Sequence, residues 1–190
     1  MIFIVLLLFP LAVAAAVPFV KNDAARGNIV RAGAIAVALL SIAAVCAHFQ
    51  NGAVLTLPYL RAVKYGMMLA EAAIAVYIIR AGLKSKKILA PLLAGVQTPA
   101  LILFELFYGK NHEAETTILF DRFSAVMVLI IGVIGGLICI YAVGYMRWYH
   151  VHHTDHPARK GFFFAVLFLF LSAMTGLVLF NDITMMYFCW

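Results

Sequence analysis

The sequence predicts an all-α fold: a polytopic transmembrane helix bundle with six full helices and the start of a seventh. Three observations predict it. Two thirds of the 190 residues are apolar (66%) and only 12% are charged, against about 45–50% and about 25% in soluble domains. The apolar residues come in long unbroken runs, each near the roughly 20 residues that a helix needs to cross a bilayer. Finally, Lys and Arg gather in the short segments between runs, which is the distribution that orients a membrane protein.

The runs lie near 1–20, 30–48, 65–83, 88–108, 123–145 and 161–180. The first resembles a secretory leader, with Ala12-Val13-Ala14 like a cleavage site. No Lys or Arg precedes it, as a leader requires, and the first cation is Lys21 on the far side, so it reads as a retained helix. Polar connections follow at Lys21–Arg31, Gln50–Lys64, Lys84–Lys87, Gly109–Arg122 and Met146–Lys160. A seventh apolar run starts after Asn181-Asp182, but Ile183–Trp190 as a helix reaches only about 12 Å into a core of about 30 Å. With Arg80 at the end of the third run, the first, third and fifth connections hold ten Lys/Arg and the second and fourth hold four. This asymmetry places the N-terminus outside and the odd connections in the cytoplasm, in a prokaryotic cytoplasmic membrane. The net charge of +6 is therefore a topology signal rather than a nucleic-acid surface, and the expected surroundings are lipid. Cys46, Cys139 and Cys189 are far apart in apolar runs and read as small hydrophobes.

Ionisable groups within apolar runs are costly and need an account. Glu71 lies well inside the third run and Glu105 near the outer end of the fourth. Each reads either as part of a proton or cation relay or as a buried polar partner, Glu105 also as a group that reaches the interface. Gln97-Thr98-Pro99 marks either an ordinary proline kink or a broken helix of the kind that forms transporter sites. Gly132, Gly135 and Gly136 supply small residues for close helix packing. The segment His150-Val151-His152-His153-Thr154-Asp155-His156 concentrates four imidazoles and a carboxylate. His150, His152, His153 and His156 are thus weak metal candidates. The only other histidines, His48 and His112, are isolated, so a solvated, metal-free loop that titrates near neutral pH is the expected state.

The last seventy residues carry a family resemblance. Asp121-Arg122-Phe123-Ser124 starts a helix that ends Tyr141-Ala142-Val143-Gly144-Tyr145-Met146; a Phe-rich helix with Ser172-Ala173-Met174 follows, then Asn181-Asp182 and Tyr187-Phe188-Cys189-Trp190. In this order the motifs resemble the N-terminal part of the antiporter-like subunits of respiratory complex I, most nearly subunit L. That superfamily includes the large membrane subunits of energy-converting hydrogenases and of multisubunit cation/proton antiporters. The resemblance covers about 121–190 within a single membrane domain, 1–190. Residues 1–120 match only as variable hydrophobic helices, and a hairpin at 65–108 is extra.

The resemblance implies a proton- or sodium-translocating membrane-arm subunit of a redox-driven ion pump. It implies no cofactor in this chain, with Fe–S clusters and flavin or a nickel–iron centre in partner subunits. The expected partners are other membrane-arm subunits and peripheral redox subunits. A stand-alone antiporter component is the alternative, and a metal-dependent membrane enzyme built on the His segment a third reading. The ion-path candidates are Glu71, Glu105, Asp121 and Asp182. No lysine lies deep in any apolar run, and the family's glutamate and lysines are expected after Trp190. The chain alone is therefore not expected to pump, and a continuation or a neighbouring subunit is expected against Phe188–Trp190.

Overall fold

The structure is a computed structural model that describes residues 1–57, 61–85, 88–108, 116–152 and 159–190. Among the described residues it is helical apart from short connections, one short pair of strands and an isolated bridge. Four of its helical stretches are long and apolar enough to cross a membrane, judged by length and composition among the described residues: Ile2–Phe19, Asp23–His48, Arg122–Tyr149 and Lys160–Leu179. The chain divides into two compact units, Met1–Leu55 with Thr117–Trp190, and Thr56–Thr116.

In the first unit, α1 (Ile2–Ala16) continues into a 3₁₀ turn at Val17–Phe19. Helix α2 (Asp23–His48) starts seven residues before the predicted run. The reason is local. Asn22 is extended and its side-chain oxygen accepts the Ala24 N–H at 2.9 Å, which caps the helix ahead of its apolar part. Polar residues at a membrane interface are compatible with helix, so the connection predicted over Lys21–Arg31 is mostly the first turns of α2. At its other end Gly52, at φ +61°, takes the left-handed conformation that ends the helix. The chain then enters β1 (Ala53–Leu57), which pairs with β2 (Thr116–Phe120), a ribbon inside segments predicted as loops.

After β2, helix α5 (Arg122–Leu129), a π turn (Ile130–Ile134) and α6 (Gly135–His152) run as one rod. Its 31 residues extend about 46 Å, beyond a hydrocarbon core of about 30 Å. It therefore outruns the predicted end at 145. His150, Val151 and His152 form its last turn rather than a loop, and His153 and His156 lie outside the described residues. Helix α7 (Lys160–Leu179) follows, and α8 (Ile183–Cys189) packs back on it.

The helices α1, α2, α5–α6 and α7 form a four-helix bundle in which α1 lies against α7 and α2, and α2 against the π turn and α6. Its core is Val13, Val17, Val30, Ala34, Val37, Cys139, Phe164, Phe168 and Leu171. Lipid is as apolar as these side chains, so close fit rather than burial from water holds such helices together. Small residues give that fit. Gly33 receives the Phe168 ring and Val13, Gly136 lies against the Ala34 carbonyl, and Gly132 faces Ser41. A direct polar link is the Ser172 hydroxyl, which donates to the Leu7 carbonyl at 2.7 Å, in the turn that leads into Pro10 of α1.

One end of this bundle is tied by charge. Asp23 accepts from Arg26 at 2.5 Å on one oxygen and from Lys160 at 2.7 Å on the other, joining the starts of α2 and α7 across 137 residues. Arg26 also donates to the Val20 carbonyl, and Gly161 packs on Pro18 and Arg26. Arg26 is only 12% exposed, Asp23 58%. Replacing Asp23 by alanine is expected to cost on the order of 1 kcal/mol, toward the top of the range for exposed pairs, because it strips two cations at once. Lys160→Met should cost less. Thermal unfolding of the purified variants in one detergent checks both, and an Asp23→Ala chain that melts with the parent would show the tie to be idle.

The second unit, Thr56–Thr116, contains α3 (Arg61–Lys84) packed on α4 (Leu89–Tyr108), a helical hairpin where the extra one was predicted. Pro99 sits inside an uninterrupted α4, with the Thr98 hydroxyl donating to the Ala94 carbonyl at 2.9 Å. The fourth run is therefore not broken at that proline.

Candidate functional site

The four predicted ion-path residues fall two in each unit. Glu71 lies on α3, half-buried, ten residues from its start and thirteen from its end. Glu105 lies on α4 one turn before its end at Tyr108. Asp121 and Asp182 lie at the same end of the bundle, where β2 and the end of α7 meet through the antiparallel Ile118–Phe180 bridge, and the chain leads to them in opposite directions from it. Asp121 follows Ile118 by three residues and Asp182 follows Phe180 by two.

That end is built from its aromatic residues. Phe3 of α1 packs on Phe120 with ring centroids 4.8 Å apart and on His48 of α2 at 5.1 Å. The His48 and Phe120 rings meet edge-on at 6.3 Å, and Phe120 is almost wholly buried. His48 also reaches the Ala44 carbonyl of its own helix at 3.3 Å. The three rings close the bundle between the ends of α1 and α2 and the strand that feeds α5.

Asp121 follows Phe120 and caps α5: its carboxylate accepts the Ser124 N–H at 2.7 Å. That backbone bond, with the helix start behind it, holds the Asp121 carboxyl below its ordinary value of 3.8. A lowered folded-state value means that the stabilisation is present above the ordinary range and is lost as pH falls through the folded value. Asp121→Ala is thus expected to lower the melting temperature by a few degrees at neutral pH, with the difference from the parent shrinking below about pH 4. Asp121→Asn keeps the acceptor and should melt like the parent at neutral pH, without the acid-dependent loss. Melting curves across this range test the pair, and a parallel acid response in the Asn variant would refute the assignment.

Sequence reasoning missed the buried hydroxyls of the bundle. Ser41 donates to the Val37 carbonyl at 2.9 Å, Thr175 to Leu171 at 2.8 Å and Ser172 across to Leu7. All three satisfy carbonyls, so they act as packing and linking groups. Their only sequence signal is small polar residues in apolar runs. Asp23 was also missed as an organiser, because its partner Lys160 is remote in sequence. Among the described residues, no three of His, Cys, Asp and Glu are placed to hold a metal ion.

Comparison with known proteins bears on the rod and its flanks. Residues 107–163 match the family described as NADH-Ubiquinone oxidoreductase (complex I), chain 5 N-terminus. The segment is similar to that family over these residues. It holds β2, the Asp121 cap, the π turn, α6 and the start of α7, and so overlaps the predicted 121–190 resemblance through residue 163. A curated relative, the NADH-quinone oxidoreductase subunit L of Rhodobacter capsulatus, is 36% identical over 70 residues. This match covers 37% of the present chain and 10% of the relative, so the chain spans a small part of that protein's length. No solved structure matches. The cap aspartate, the glycine-bearing π turn and the Tyr141–Met146 stretch thus all lie in the segment that is similar to complex I chain 5.

Proposed function

We propose that this chain serves in the membrane arm of a redox-driven ion pump, as an ion-translocating subunit or the N-terminal part of one. The observation that carries the reading is the chain 5 segment at 107–163 built into a four-helix bundle of membrane-spanning length. On this reading the chain forms one membrane domain of six crossing helices, with α3 and α4 as the added hairpin. The N-terminus and the Asp121 end face outward, and the Asp23 end and His150 face the cytoplasm. Electron transfer takes place in partner subunits with Fe–S clusters and flavin or a nickel–iron centre. This chain supplies carboxylates for proton or sodium movement: Glu71 and Glu105 within the hairpin, Asp121 and Asp182 at the outer mouth of the bundle.

The arrangement suits that work in one respect. A carboxylate at mid-helix is expensive in lipid, by roughly 3 kcal/mol, and is retained where it changes charge for a purpose. The bundle itself offers buried hydroxyls and no mid-depth acid among its described residues, so the switchable groups are at its mouth and in the hairpin.

The test is isolation of the affinity-tagged chain from its native membrane and identification of the chains that accompany it. Fe–S and quinone- or hydrogen-reactive subunits in the same particle are expected. Recovery with antiporter subunits and no redox protein would replace this reading with the stand-alone antiporter, and recovery alone would end both.

A further inference from the structure

The Asp23 end of the bundle carries far more positive charge than its internal ties use. Both Asp23 oxygens are taken, by Arg26 and Lys160. Lys21, Arg147 and Arg159 are exposed at the same end, and among the described residues no ion pair involves them. Contacts fix their level. Gly161 lies on Pro18 and Arg26, which sets the start of α7, and so Arg159, beside the start of α2. Gly27 faces Val143, so Arg147, one turn further along α6, is level with Asp23, one turn back along α2.

Aromatic side chains surround these cations. Tyr141, Tyr145 and Tyr149 stack along α6 with centroids 6.4 and 6.0 Å apart. Trp148, Phe19 and Phe162 are exposed at the same end. The amphipathic Tyr and Trp rings among them settle at headgroup depth. A protruding α6 places Arg147 and Trp148 in that layer, since residues near the end of a rod of about 46 Å lie outside a core of about 30 Å.

We propose that this end of the bundle is a binding surface for anionic phospholipid headgroups, with Lys21, Arg147 and Arg159 meeting the phosphates and Trp148 and the tyrosines lying against the glycerol region. The occupant follows from charge and depth together. Exposed cations bracketed by interfacial aromatics meet lipid phosphate first, and zwitterionic headgroups offer no net charge to hold. Asp23 does not oppose the lipid, because Arg26 and Lys160 neutralise it internally. The inference rests on the membrane-spanning reading of the bundle and is independent of which ion the assembly moves.

The chain has two tryptophans, Trp148 and Trp190. In a Trp190→Phe background the fluorescence of Trp148 alone reports its lipid neighbours. The chain is reconstituted in vesicles of phosphatidylcholine and phosphatidylglycerol, with bromine on the acyl chains of one lipid or the other. Brominated phosphatidylglycerol is expected to quench Trp148 more strongly at equal mole fraction. The implied enrichment is up to roughly fivefold per cation, the equilibrium equivalent of one Lys or Arg at an anionic surface. It should fall in high salt and shrink in the Arg147→Gln, Arg159→Gln variant, which leaves the Asp23 tie intact. Equal quenching by both lipids would overturn the proposal. So would a preference that survives in the double variant, or one that inorganic phosphate abolishes while sodium chloride of the same ionic strength does not. Absence of quenching by either lipid would show that the chain is not in the bilayer and would remove the membrane-spanning reading as well.

Discussion

Replacing Gly132 by alanine is expected to destabilise the bundle, and replacing Ser41 by glycine in the same chain is expected to recover most of the loss. Alanine is the better helix former by about 1 kcal/mol, so local preference alone predicts the opposite sign. The tertiary fit decides. A Cβ on Gly132 would overlap the Ser41 Oγ and stand 2.5 Å from the Ser41 Cβ. A rotamer change can move the hydroxyl, but the Cβ moves only with the α2 backbone. Helix α2 is held on this side by Gly136, where an added Cβ would stand 3.0 Å from the Ala34 carbonyl. Overpacking of this kind costs about 1–3 kcal/mol, sometimes more. Ser41→Gly removes both offending atoms at the cost of a hydroxyl bonded within its own helix and of the lower helix propensity of glycine. Thermal unfolding of the parent, both single variants and the double variant gives the coupling, expected at about 0.5–3 kcal/mol. Independent, additive effects would show that α2 and the π turn do not meet as described.

On the proposed reading as a subunit of a redox-driven pump, Glu71→Gln in the assembled particle is expected to reduce coupled ion transport to the leak of empty vesicles while leaving electron transfer in the redox subunits measurable. Glutamine has the size and hydrogen-bonding capacity of the acid but cannot take up or release a proton, so the exchange separates structure from titration. Glu71 is the best placed of the four candidates for such a role, since it lies near the middle of a helix with apolar turns on either side. Asp182→Asn at the bundle mouth is the comparison. A group near the surface is bypassed by water more readily than one at mid-depth, so its loss should slow transport less. The measurement is dye-reported pH or sodium change in proteoliposomes energised by the redox substrate. Undiminished transport in the Gln variant, with the variant chain present in the particle, would remove Glu71 from the path.

The sequence by itself determined where the helices are. A backbone in lipid must satisfy its own hydrogen bonds, so each long apolar run had to become a helix. All six runs are helical, four of them, among the described residues, long and apolar enough to cross a membrane where six full crossings were predicted, and the short seventh formed α8. It also determined the Asp121 helix start, because an aspartate before Arg122-Phe123-Ser124 has its acceptor within reach of the Ser124 N–H. Other features depend on what comes to lie beside what. Asp23 and Lys160 are 137 residues apart, and nothing near either one marks the other. The strands β1 and β2 look like loop because each is only five residues long and gains its hydrogen bonds from the other, beyond the whole α3–α4 hairpin. The π turn at Ile130–Ile134 has no compositional signature. It sits where Gly132 of the rod meets Ser41 of α2. Helix formation in a membrane is a local demand of the backbone and can be read from one run at a time; the tie, the ribbon and the glycine–serine fit are pairings between distant segments, which only the packed chain brings within contact distance.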